Sequence, residues 1–307
     1  MSERILIDTD PGIDDAMAIL YAIAAPDIEL VGLTTIFGNV TTEIATRNAL
    51  QLLELAGVAV PVARGAEKPL RRELAPPADF VHGAQGFGGG RLPAPSQKAD
   101  PRSAACFIVD TILENPGDIT LIPVGPLTNI ALALREAPEI AKAVKKVIVM
   151  GGAVRTAGNV NEHAEANIWN DPDAAAEVFA AEWPLTLVGL DVTQQIICRG
   201  HDLEPMRAAS PNCGPFLNEA AGFYFRFHEK TRGFTGSYLH DPAAVICATH
   251  PEWFETVEGP LTVTLDGEAL GCTREGGSAR PQRISIGVSA EEVRRRFLDI
   301  LNAGCLP

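Results

Sequence analysis

The chain has 307 residues, enough for one large domain or two small ones with a substantial buried core. Thirty-nine acidic residues against 25 basic ones give a formal charge of −14. That balance, with no long basic run, argues against nucleic-acid polymers and anionic membranes as partners and favours a small neutral or cationic substrate. No apolar run reaches the length of a membrane span and no leader pattern precedes the first strand, so a cytoplasmic protein is expected. Six scattered cysteines lack zinc-site or disulfide-framework spacing and read as mostly buried thiols.

In chain order, Ile5–Ile7 reads as a buried strand, Pro11-Gly12 as a turn, and Asp14 onward as a helix with Met17, Ile19, Leu20 and Ile23 on its apolar face. Between them Asp8, Asp10, Asp14 and Asp15 crowd into eight residues. A helix start favours carboxylates, but so many would repel unless a cation or donors offset them. Acids on a turn suit a hard divalent ion such as Ca²⁺ or Mg²⁺, and the carboxyl end of a strand is where open α/β sheets bind ligands. The plainer reading makes Asp8 and Asp14 caps. Strand and helix patterns then alternate: Ile28–Phe37, a helix at about 43–56, Val58–Ala63, a helix at about 103–114, Ile119–Val124, a helix from Asn129, Val147–Met150, a helix at about 172–181 and Leu185–Leu190. Alternation of this kind predicts an open, mainly parallel, Rossmann-like α/β sheet flanked by helices, in a single domain over 1–307.

Residues 64–102 break the rhythm with six prolines and the run His82-Gly-Ala-Gln-Gly-Phe-Gly-Gly-Gly90, and a long loop of that kind predicts a flexible active-site flap. Beyond Asp191, helices are expected at 215–232, 242–248 and 290–302, with strands at Leu261–Leu265 and Arg283–Ile286.

Other polar groups gather at predicted strand ends. Thr128 or Asn129 reads as a helix cap, and the same turn leaves the Val124 carbonyl free to bind a metal. Asp171-Pro172 is an N-cap and first-turn pair. Asn159, Glu165 and Asn167 exceed what capping requires and suit a hydroxyl-rich ligand. His240 next to Asp241 is either a structural pair, with Asp241 as the cap, or a leaving-group acid with its neighbour.

Taken together, Asp8-Thr-Asp-Pro-Gly-Ile-Asp-Asp15, Gly38-Asn39, His82-Gly83, Gly125-Pro-Leu-Thr-Asn129, Met150-Gly-Gly152, Asn159, Glu165-Ala-Asn167, Asp171-Pro172 and His240-Asp-Pro242 make the chain resemble the inosine–uridine preferring nucleoside hydrolases over nearly its full length. The resemblance implies that fold and hydrolysis of the N-glycosidic bond of purine or pyrimidine ribonucleosides in salvage or catabolism, by a homodimer or homotetramer. It implies a Ca²⁺ held by Asp10, Asp15, Asp241 and the Val124 carbonyl, with a water at the metal deprotonated by Asp10. Asp14, Asn39, His82, Met150, Asn159, Glu165 and Asn167 would line the substrate, and His240 would protonate the departing base. His228 and Arg232 stand where the base is expected, in place of the Gln and Tyr of a pyrimidine-preferring relative. Ala166 replaces a common aromatic, and Ala84-Gln85 and Gly88 replace common acids, which leaves base preference open.

Two rivals use the same residues. An aspartyl phosphatase would attack through Asp8 of the Asp8-x-Asp10 pair, and a non-catalytic ribose or Ca²⁺ binding protein would use the pocket without turnover. An EF-hand is excluded because Ile19 stands where its last Glu belongs.

Overall fold

A computed structural model describes residues 2–307. Its strands are β1 Glu3–Thr9, β2 Ile28–Thr35, β3 Val62–Arg64, β4 Asp100–Ser103, β5 Ile119–Pro123, β6 Lys146–Met150, β7 Leu185–Val188, β8 Ile197–Arg199, β9 Gly236–Tyr238, β10 Phe254–Gly259, β11 Leu261–Val263, β12 Thr273–Glu275 and β13 Gln282–Val288. Nine of them form one sheet in the order β10-β13-β7-β6-β5-β1-β2-β3-β4. Every pairing is parallel except β10 with β13, so the expected mainly parallel α/β sheet is present with one antiparallel edge strand.

Strand alternation distributes the core between two helical layers. Ile5, Ile7, Ile122 and Ile148 pack on one side with the helices Ile13–Ala24, Cys213–Arg232, His240–Thr249 and Ala290–Asn302. Leu6, Leu121, Val147 and Val149 pack on the other with Ala104–Glu114, Thr128–Glu136 and Pro172–Ala180. Residues 240–248 are all buried, and from Pro242 to Ala248 the helix is apolar on every side.

The chain runs outward from β1 through β2, β3 and β4, returns to β5 on the other side of β1, and then continues through β6 and β7. The reversal opens a crevice at the carboxyl ends of β1 and β5, the place where doubly wound sheets take ligands.

Three expectations change. Residues 64–102 contain a short helix, Asp79–His82, and the edge strand β4, and they are tied down by Gln51 to the Leu92 and Pro93 carbonyls and by Glu54 to the amides of Ser96 and Gln97. The strand at Leu261 exists, but it pairs with β12 in a separate hairpin. Asn129 and Thr128 do not cap their helix: Asn129 Nδ2 donates to Asp8 and Thr128 to Asp171.

Candidate active site

The carboxylates after β1 have separate surroundings. Asp8 Oδ1 accepts from Thr34 Oγ1 at 2.6 Å and Asn129 Nδ2 at 2.7 Å, which joins β1 to β2 and to the turn after β5. It is fully buried, and burial pushes its carboxyl up to about 7. Asp15 accepts from Thr9 Oγ1 at 2.5 Å, the Asp10 amide at 3.2 Å, the Gly12 amide at 2.9 Å and Asn39 Nδ2 at 3.0 Å. Those four donors, two backbone amides and the Thr9 and Asn39 side chains, use its four acceptor positions.

Asp10 Oδ2 accepts the Asn39 amide at 2.6 Å, while its Oδ1 is buried without a hydrogen-bond partner, as is Asp14 Oδ1. Gly38 and Gly125 press on the two Asp10 oxygens, so a side chain at either would displace the carboxylate. Asp241, in the first turn of its helix, is not an N-cap, because Leu239 holds that position. Oxygens of Asp14, Asp15 and Asp241 come within 4.8 Å of one another. Burial, with the neighbouring carboxylates, raises the carboxyls of Asp10 and Asp241 well above the usual range, and burial raises Asp14 to about 6. Like charges packed so closely call for a cation, and orphaned oxygens with a hard donor set fit one. A buried Asp cluster able to hold a metal ion therefore lies at the switch point.

Above it opens a cavity of about 500 Å³. Glu165 N-caps the helix Ala166–Asn170, accepting from Asn167 N and Ile168 N, and also takes the Gly152 amide at 2.9 Å, which fixes the turn after β6. Asn159 Oδ1 accepts from Ala166 N at 2.9 Å. Asn167 Nδ2 donates to the Val124 carbonyl at 2.8 Å and to the Met150 carbonyl at 3.1 Å. Asn159 and Glu165 are thus capping groups as well as wall residues, which sequence spacing did not suggest. His82 Nδ1 accepts from the Ile13 amide at 3.2 Å, capping the helix that carries Asp14, and burial lowers its imidazolium to about 4. The ring is neutral, so its 3.8 Å approach to Asp14 is no ion pair near pH 7.

At the other end stand His228, Arg232, His240, Phe80, Tyr224, Phe227 and Tyr238. His228 Nδ1 lies 3.0 Å from the Tyr224 carbonyl, and its ring packs edge-on against Tyr224, Phe227 and Tyr238. His240 Nδ1 lies 2.7 Å from Thr193 Oγ1. Burial first, then His228, His82 and Arg232, holds its imidazolium down to about 3.

The model of the inosine-uridine preferring nucleoside hydrolase family matches residues 5–297. The chain belongs to this family. It is 44% identical over 272 residues to uridine nucleosidase 1 of Arabidopsis thaliana, covering 88% of this chain and 81% of that one. A plant nucleoside hydrolase structure superposes with a TM-score of 0.95 at 38% identity, over 99% of this chain and 100% of the other. The purine-preferring ribonucleoside hydrolase of Gardnerella vaginalis gives a TM-score of 0.95 at 34% identity, over 99% of each chain. The protein is a ribonucleoside hydrolase with the nucleoside hydrolase fold.

In this nucleoside hydrolase Asp14, Asn39, His82, Val124, Met150, Asn159, Glu165, Asn167, His228, Arg232, His240 and Asp241 all line the cavity, with Asp10 and Asp15 buried beneath it. Geometry adds Asp14 to the candidate ion cluster, where the sequence reading had it facing ribose. Asp8 lines no part of the cavity and has one oxygen committed to two donors, which removes the phosphatase reading. Missed were Tyr224, Tyr238, Phe80 and Trp169. Each had a local signal: Tyr224 sits one helical turn before His228, and the others lie two residues from His240, His82 and Asn167.

Proposed function

We propose that the chain is a Ca²⁺-dependent hydrolase of the N-glycosidic bond of purine and pyrimidine ribonucleosides, releasing ribose and free base. The observation that supports the reading is the meeting of Asp14, Asp15 and Asp241 at a nucleoside-sized cavity at the switch point, with Val124 in the cavity lining and the Asp10 amide bonded to Asp15. Among the charged lining residues three carboxyl groups face one guanidinium, Arg232, which suits a neutral nucleoside better than its phosphate.

Asp10, Asp15, Asp241 and the Val124 carbonyl would hold the ion, with Asp14 beside them. When bound, a divalent cation supplies a fixed positive charge that orients water and ribose hydroxyls and eases the loss of a proton from that water. Asp10 keeps a buried oxygen free of protein donors, and we assign it as the acceptor of that proton. The bond breaks with positive charge on the sugar and negative charge on the base, so help is needed at both ends. Carboxylates of Asp14 and Glu165 favour the sugar cation. Negative charge growing on the base raises the proton affinity of His240, which lets a ring that rests neutral serve as the acid. The Phe227, Tyr238 and His228 rings offer flat apolar contact to either class of base.

Free-base release from inosine, adenosine, guanosine, uridine and cytidine, with and without a chelator, tests the proposal. Release that stops on chelation and returns with Ca²⁺ is expected. Binding without release across the panel would instead favour the silent ribose-binding reading. Salvage or catabolism, a cytoplasmic setting and a homodimer or homotetramer belong to the same proposal; light scattering tests the last. Among the described residues no helix is long and apolar enough to cross a membrane.

A further inference from the structure

Resting on the reading above, we infer that Thr193 is the positioning residue for the leaving-group acid: its hydroxyl holds the His240 ring so that Nε2 serves the departing base. Thr193 is fully buried, and among the described residues its hydroxyl is the only hydrogen-bond partner of the His240 ring, at 2.7 Å from Nδ1. A planar ring tethered at Nδ1 keeps its opposite edge in one direction, and His240 lines the cavity.

The tether stands on a rigid base. Thr193 closes the short helix Leu190–Thr193 that follows β7, with its amide donating to the Gly189 carbonyl at 3.1 Å. Leu190 N donates to the Gly152 carbonyl at 2.9 Å, and Asp191 accepts from Val154 N at 2.9 Å and Arg155 N at 2.6 Å. The helix is thereby bound to the same turn after β6 that Glu165 clamps. Branching at Cβ restricts the rotamer of Thr193 further. Tyr238 packs against the imidazole with ring centroids 5.5 Å apart, which limits tilting.

A hydroxyl suits this post better than a backbone group or a carboxylate. It can donate to a bare Nδ1 or accept from a protonated one, so the contact survives either state of the ring. In the proton transfer, the Nε2–H bond breaks as a new N–H bond forms on the base. The electron pair of the glycosidic bond moves onto the base; the ring, neutral at rest with Nε2 bare, takes up a proton from solvent at Nε2 as that charge grows and returns to neutral imidazole on passing it to the base. Nδ1 keeps its own proton, held by the Thr193 oxygen.

The test compares Thr193→Val, which keeps shape and removes the hydroxyl, with Thr193→Ser, which keeps the hydroxyl. Each is assayed on the better of uridine and inosine, and on p-nitrophenyl riboside, whose phenolate leaves without a proton. Thr193→Val is expected to lower kcat on the nucleoside roughly 10- to 100-fold, with KM and the Ca²⁺ requirement unchanged. It should leave the nitrophenyl substrate within about threefold of wild type, and Thr193→Ser should recover most of the nucleoside rate. Equal losses on both substrates, no loss on either, or no recovery in Thr193→Ser would overturn the assignment. Should Thr193→Val not fold, Thr193→Ala replaces it against Thr193→Ser on the same two substrates, with the same expectations. A wild-type enzyme that hydrolyses nucleosides while the variants match it refutes this inference alone, whereas a wild type that releases no base refutes the functional reading as well.

Discussion

At the floor of the cavity, Asp10, Asp15 and the Val124 carbonyl are fixed by the ends of β1 and β5 and by the turns that follow them. At its mouth the rings of Phe80, Phe227 and Tyr238 come from a short loop helix, the last turns of a long helix and a two-stranded ribbon. Asp10 and Asp15 are 1% and 0% exposed, whereas Phe80 is 73% exposed. One end is built from charge, where a displaced atom leaves an uncompensated carboxylate. The other is built from apolar surface, where one ring can be exchanged for another at small cost. On the function proposed above, chemistry common to every nucleoside would belong at the floor and discrimination between bases at the mouth.

The largest effects are expected at the floor. Asp10→Ala and Asp241→Ala should each lower kcat by about a thousandfold or more on purine and pyrimidine nucleosides alike, measured by free-base release in variants shown to fold. Loss confined to one class of base would erase the distinction between the two ends. Removal of divalent ions should abolish turnover and also lower the unfolding temperature, read by calorimetry with and without added Ca²⁺.

A middle-sized effect concerns the scaffold under the floor. Asn129→Ala removes a donor from Asp8 and should cost about 1–3 kcal/mol of stability, seen as a lower urea midpoint. Phe227→Ala at the mouth should change the ratio of kcat/KM between inosine and uridine by about tenfold while leaving the Ca²⁺ requirement intact. An unchanged ratio would move discrimination elsewhere.

The smallest effect is on pH dependence. Burial lowers the His228 imidazolium from 6.5 to about 4. As pH falls from 6.5 toward 4, the unfolded chain takes up this proton before the folded one, so the stability that is full above 6.5 is progressively lost. His228→Gln should flatten the fall of the urea midpoint over that window at saturating Ca²⁺. A steeper fall would mean that His228 is protonated in the folded enzyme.

Much of the floor was legible in the sequence, because it is written in short local runs. Asp8–Asp15 announces a strand, a turn and a helix start, and four acids so close demand compensation. The closing helix at 290–302 and the buried strand at Ile5–Ile7 were equally plain. What sequence could not assign was the partner of each polar group. Asn129 reads as a cap but reaches 121 positions back to Asp8, and Glu165 reads as a ligand group but also clamps a turn. The edge strands hid for another reason: β4 contains Pro101, and β10 carries exposed Glu255, Thr256 and Glu258, so neither has the apolar run of a central strand. Thr193 gave no signal, since a lone hydroxyl near a strand end has too many ordinary uses.

The orphaned oxygens of Asp10 and Asp14 have a consequence in proton traffic. Burial raises the carboxyls of Asp10, Asp14 and Asp241, and the neighbouring carboxylates add to the rise at Asp10 and Asp241. A divalent ion bound among carboxyls so raised would compete with protons, so its apparent affinity should climb as the solution becomes more alkaline. In weak buffer, addition of Ca²⁺ should release protons, read as a fall in pH.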